Sequence, residues 1–203
     1  MKKTIVRIEI SILIAVLIVN VFSFVGFSKQ CDEIRNKVLR MHVIANSDED
    51  YDQELKLKVR DAVLNEGREL FDGSLTADDA EEKIIPNIER LEKIALKTIR
   101  DEGYDYDVKI YVANEFFKTR VYDNSVTLPA GEYTAVKVMI GEGKGKNWWC
   151  VMFPPMCLPA ANNDTKIDDV LNSEEMNIVN NGKKYSFKFK FLEICEDLYE
   201  KIK

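Results

Sequence analysis

A single histidine, His42, and four cysteines leave this 203-residue chain poor in metal ligands. A structural zinc site takes four closely spaced Cys or His donors, and Cys31, Cys150, Cys157 and Cys195 do not offer that spacing. Cys150 and Cys157 are also too far apart for a C-x-x-C redox pair. Neither G-x-S-x-G nor H-E-x-x-H occurs, so two common catalytic signatures are missing. Clustered positive charge is scarce as well. Lys and Arg number 29 against 35 Asp and Glu, a net charge of −6, and beyond the first ten residues the balance is 26 to 34. A basic face for nucleic acid is therefore excluded. The acidic balance also argues against a polybasic lipid-binding patch. There is no internal repeat, and nothing marks a second domain.

What is present begins at the N-terminus. Lys2, Lys3 and Arg7 form a positive tip, and residues 10–27 are almost continuously apolar, broken by Ser11, Asn20, Ser23 and Gly26. That length lies between the apolar region of a signal peptide, about 7–15 residues, and a spanning helix, about 20. Two outcomes stay open: an uncleaved membrane anchor, or a signal peptide over residues 1–28 cut near Gly26-Phe27-Ser28. In both, the positive tip stays inside and residues 29–203 are exported as one extracytoplasmic domain.

The exported part reads as α+β. After a polar helical stalk over residues 31–37, Val38 to Ala45 predicts a strand. Leu55, Val59, Ala62, Val63 and Leu70 recur at helical spacing, with Gly73 as the break. Thr76, with Asp79 three residues on, predicts a cap for a second helix. Ile84, Ile88, Leu91, Ala95 and Ile99 form its stripe, Pro86 lies inside it and Gly103 ends it. Strands are predicted at Val108 to Val112, Phe117 to Tyr122 and Ala135 to Ile140, and over Trp148 to Phe153 as a central strand. Tyr185, Phe187, Phe189 and Phe191 alternate with polar residues and predict another strand, followed by a helix over residues 192–202. Residues 162–181 read as a mobile loop. The whole is expected to be a mostly antiparallel sheet packed by two to three helices behind an N-terminal membrane segment.

Few residues invite a chemical role. Gly141-Glu142-Gly143-Lys144-Gly145-Lys146 brings glycines and lysines together, but a P-loop needs Gly-Lys-Ser/Thr at a helix start, and here a strand follows. A flexible hairpin is the simpler expectation. Trp148 and Trp149 on a strand face opposite sides, so one can serve as an exposed anchor unless helices cover both faces. His42 could act as a base in an envelope hydrolase with acids such as Glu132 or Glu142, although a histidine within a strand is more often structural. Cys150 and Cys157 bracket Pro154-Pro155, a bend that can bring them together as a disulfide outside the membrane; two buried free thiols are the alternative.

Two blocks carry a resemblance. Leu39-Arg40-Met41-His42-Val43-Ile44-Ala45-Asn46-Ser47-Asp48, continued by residues 52–63, and Leu128-Pro129-Ala130-Gly131-Glu132-Tyr133, leading through residues 140–147 to Trp148-Trp149-Cys150-Val151-Met152-Phe153-Pro154-Pro155-Met156-Cys157, resemble the stage II sporulation protein R family. The resemblance spans residues 38–160. It implies a signalling protein of endospore-forming bacteria, exported from the forespore into the intermembrane space. There it would activate a membrane-embedded aspartic protease of the mother cell, which cleaves the pro-form of sigma factor E. By the same resemblance it is no enzyme, and it implies no cofactor and no small-molecule substrate. Glu142, Lys144, Lys146, Asn147, Trp148 and Trp149 are the candidate partner-contacting residues.

Overall fold

The computed structural model describes residues 2–71, 74, 76–122, 125–157 and 165–202. Helix α1 runs unbroken over Lys2–Asn36, and its span from Ile5 is long and apolar enough to cross a membrane. Its last turns are not the polar stalk expected from composition. Phe27, Cys31 and Ile34, at i, i+4 and i+7, are buried in the domain. The first expected domain boundary thus falls within a continuous helix.

Strand β1 (Leu39–Ile44) leads to α2 (Asp50–Leu70), α3 (Ala77–Ile84) and α4 (Ile88–Asp101). Thr76 caps α3 with a reciprocal pair: its hydroxyl accepts from the Asp79 N–H, and the Asp79 carboxylate accepts from the Thr76 N–H. Pro86 converts the expected single helix into two, joined by a 3-10 turn over Ile85–Asn87. Gly103 takes a positive φ of 84° beyond α4, as a stop signal requires. Gly73 lies outside the described residues.

The strands β2 (Val108–Phe117), β5 (Gly131–Ile140), β1 and β6 (Asn147–Phe153) form a sheet in the order β2-β5-β1-β6. Among the described residues only the β1–β5 pair is parallel. Strands β3 (Arg120–Tyr122) and β4 (Val126–Leu128) make a separate two-stranded sheet, so the expected strand over residues 117–122 is split between two sheets. The apolar run of β6 suggested a central position, yet β6 lies at the edge. Its run reflects cover on both faces: Cys150 and Met152 enter one core cluster, Val151 and Trp149 the other. At the opposite edge Glu92 of α4 accepts the Ile110 N–H at 2.8 Å, blunting β2 as a pairing template.

One sheet face carries Met41, Val43, Ile110, Val136 and Val138 against Leu55, Val59, Leu91, Ala95 and Ile99 of α2 and α4. The other carries Phe117, Tyr133, Ala135 and Val151 against α1, α6 (Ser173–Asn180) and α7 (Ser186–Ile202). A one-turn helix, α5 (Ile167–Val170), precedes α6. The domain is α+β with a mostly antiparallel sheet, as expected, but with more helices. Much of the predicted loop over residues 162–181 is helical, and Glu175 there is fully buried in an ion pair with Lys37 at 2.8 Å; residues 158–164 lie outside the described residues.

The predicted strand at Tyr185 to Phe191 is the first turns of α7. The alternation misled because four aromatics at period 2 are also two i, i+4 pairs on opposite sides of a helix. Tyr185 and Phe189 pack on Phe27 at 5.7 and 5.2 Å, while Phe187 and Phe191 point outward.

Candidate functional site

The two sequence blocks meet at one end of the sheet, where β1 stops and β6 starts. β5 and β6 are not partners, because β1 lies between them. Residues 141–146 are therefore not a hairpin but a bridge laid across the end of β1. Ala45 and Asn46 carbonyls accept the N–H groups of Gly145 (2.9 Å) and Lys144 (3.2 Å), and Asn46 Oδ1 accepts the Glu142 N–H at 3.0 Å. Two glycines are required by this contact. A Cβ at Gly145 would stand 2.1 Å from the Ser47 carbonyl oxygen, and one at Gly141, where φ is 55°, would stand 2.3 Å from Asn46 Oδ1.

The first two turns of α2 hold the bridge from beneath. Buried Asp52 accepts hydrogen bonds from Asn46 Nδ2 (2.9 Å) and Ser47 Oγ (2.6 Å). Buried Lys56 donates to the Lys146 carbonyl at 2.9 Å and to Gln53 Oε1 at 2.6 Å. Desolvation pulls the Lys56 pKa down. Above this base the bridge faces solvent. Glu142 and Lys144 are exposed and joined at 2.7 Å; their mutual hydrogen bond lowers the carboxyl's pKa and raises the ammonium's. Lys146 and Asn147 are exposed as well.

The tryptophans face opposite sides of β6. Trp148 is 38% exposed, with the Arg60 guanidinium 4.6 Å above its ring. Trp149 is half-buried, stacked on His42 at 3.7 Å and edge-on to Phe117 at 4.7 Å. The bridge thus leaves Glu142, Lys144, Lys146 and Asn147 exposed just ahead of one partly open aromatic, Trp148.

His42 is held on three sides. Glu115 Oε2 lies 2.7 Å from Nδ1, Asn147 Oδ1 lies 2.8 Å from Nε2, and Trp149 covers the ring. Nε2, the nitrogen a general base would offer to substrate, is occupied by an amide. The acids expected beside it are elsewhere: Glu142 pairs in the bridge, and Glu132 lines a surface with Asp32, Arg35 and Glu196. The neighbouring carboxylate is Glu115, which also pairs with Lys137. Burial pushes the Glu115 pKa up, but the hydrogen bonds from Lys137 and His42 outweigh it and leave it below the usual range. Glu115, Lys137, His42 and Asn147, one from each strand, therefore form a polar cluster on one face of the sheet, set diagonally to the register pairs.

Reading the residues one at a time did not reveal this cluster, nor Asn46, Asp52 and Lys56 as the props of the bridge. The available signal was polar residues breaking apolar strands: Lys137 between Val136 and Val138, and Glu115 after Asn114. Arg40 was missed in the same way. It is fully buried, lies 4.2 Å from the Phe117 ring and 4.7 Å from that of Tyr133, and donates to Tyr122 Oη and the Cys150 carbonyl. Cys150 and Cys157 are joined, with Cα atoms 6.2 Å apart. Among the described residues no group of three or more His, Cys, Asp or Glu side chains is placed to hold a metal.

A family model described as stage II sporulation protein R matches residues 35–163. The stage II sporulation protein R of Bacillus subtilis (strain 168) is 37% identical over 124 residues, which is 61% of this chain and 55% of that relative. The chain thus spans about half the length of the curated relative it matches. No solved structure matches.

Proposed function

Because the chain belongs to the stage II sporulation protein R family, we propose that it is an exported activating ligand. Its target is a membrane-embedded aspartic protease of the mother cell, which then processes the pro-form of sigma factor E. It leaves the forespore for the intermembrane space and acts there by contact, not by catalysis. The observation that carries this reading is the bridge over residues 141–147. It presents an ion pair, further polar groups and Trp148 to solvent, while Asp52, Asn46 and Lys56 hold its backbone from below. A loop ordered before binding loses little entropy on association, and a tryptophan beside it can anchor an interface. The hydrolase alternative draws no support from His42, whose two nitrogens are both engaged.

The test is co-expression of the full chain, the protease and its pro-sigma substrate in a non-sporulating host. Lys144→Ala with Lys146→Ala, and separately Glu142→Ala, remove exposed charge and should change stability by under about 0.5 kcal/mol. The expected result is reduced processing with unchanged melting. Normal processing in both variants would remove the bridge from the activating surface.

A further inference from the structure

Helix α7 carries a second surface that the bridge does not use. It buries Phe189 and Leu192 in the core cluster beneath the sheet. On its outer side Phe187, Phe191, Ile194, Leu198 and Ile202 recur at i, i+4, i+7, i+11 and i+15 and stay in the open, Phe187 82% exposed and Ile202 85%. A continuous stripe of large apolar side chains marks a surface that something covers.

The charges of α7 sort around this stripe. Lys190 and Lys201 are exposed along one margin, and Lys188 lies on the other. The acids stand beside these lysines or turn toward the domain: Glu193 pairs with Lys190 and accepts the Thr119 N–H, Asp197 pairs with Lys201, and Glu196 accepts from Arg35. The overall acidity that argues against a polybasic patch is thus kept off the stripe. An apolar face free of acids and bordered by lysines suits the water–bilayer interface, because lysine stems run over apolar surface while their heads stay among polar groups.

Position identifies the occupant. Phe191 packs against Phe24 of α1 with ring centroids 4.7 Å apart, and Lys188 Nζ reaches Ser23 Oγ at 2.9 Å. These residues lie at the end of the apolar run over residues 10–27, where a spanning α1 leaves the hydrocarbon. Phe27, one turn further, is buried between Tyr185 and Phe189. The stripe is therefore fastened beside the point where α1 emerges. We propose that α7 is an interfacial helix, its Phe187–Phe191–Ile194–Leu198–Ile202 face seated at the headgroup–acyl boundary of the bilayer that α1 enters. The domain is then held against the membrane rather than free on a tether. The inference rests on α1 remaining attached, and not on the protease reading.

The experiment uses the full chain reconstituted in vesicles of phosphatidylcholine and phosphatidylglycerol, with no other protein. Spin labels are placed, in a Cys195→Ala background, at Phe187→Cys or Leu198→Cys on the stripe, or at Lys97→Cys on α4, on the other face of the sheet. All three replace exposed side chains, so the fold is retained. Relaxation by membrane-soluble oxygen and by a water-soluble nickel chelate gives the depth. The expected result is a depth of roughly 5–10 Å below the phosphates for both stripe labels, with the α4 label in water. Stripe labels as open to nickel as the α4 label would overturn the proposal. So would shielding accompanied by spin–spin broadening that unlabelled protein relieves, because a second copy would then cover the face.

Discussion

Glu115→Gln removes the one carboxylate in the polar cluster of Glu115, Lys137, His42 and Asn147 while keeping its shape. Glu115 is 16% exposed and accepts from His42 at 2.7 Å and from Lys137. A hydrogen bond to a charged group contributes about 1.5–3 kcal/mol, but the glutamine oxygen still accepts from one donor and the two bonds are coupled. The expected loss is therefore about 1–2 kcal/mol, a fall of roughly 2–8 °C in Tm for a domain of this size. The sign with pH follows from the direction of the shift. The folded carboxyl has a pKa below the ordinary glutamate value of about 4.5, so its stabilisation is fully present above that value and is lost as pH falls through the lower, folded one. Thermal unfolding of the full chain and the variant in nanodiscs should show a gap at pH 7 that closes in stronger acid, roughly below pH 4. No gap at pH 7, or a gap that persists undiminished to about pH 3, would refute the reasoning.

Gly145→Ala sets a Cβ against the Ser47 carbonyl and must move the bridge, weakening the Gly145 and Lys144 backbone bonds; a loss of about 1–3 kcal/mol is expected, and a Tm within 1 °C of the parent would contradict it. Phe27→Ala empties a buried site between Tyr185 and Phe189 and should cost about 3–5 kcal/mol; an unchanged melting curve would mean that residues up to Ser28 are not part of the mature domain. Cys157→Ala opens the short Cys150–Cys157 loop and should lower stability by about 2–3 kcal/mol; two freely labelled thiols in the exported parent protein would show that the bond does not form there.

The sequence by itself determined the local elements of this protein. The apolar run over residues 10–27 marked a helix able to enter a membrane. The stripe of Leu55, Val59 and Val63 marked α2, and Thr76 with Asp79 marked the start of α3, because each signal is complete within a few turns of chain. Where a local pattern fits two structures, sequence misled: the alternating aromatics of residues 185–191 satisfy a strand and also two sides of a helix, and only burial of Phe189 on Phe27 decides between them. Position in the sheet was equally hidden. The run in β6 reports cover on both faces, which an edge strand can have as well as a central one. The site depended most on tertiary structure. His42, Glu115, Lys137 and Asn147 lie on four strands far apart in the chain, and no single segment shows that they face one another. The register of a four-stranded sheet with one parallel pair keeps all four on one face, because a one-residue slip of any strand would turn its member to the other face.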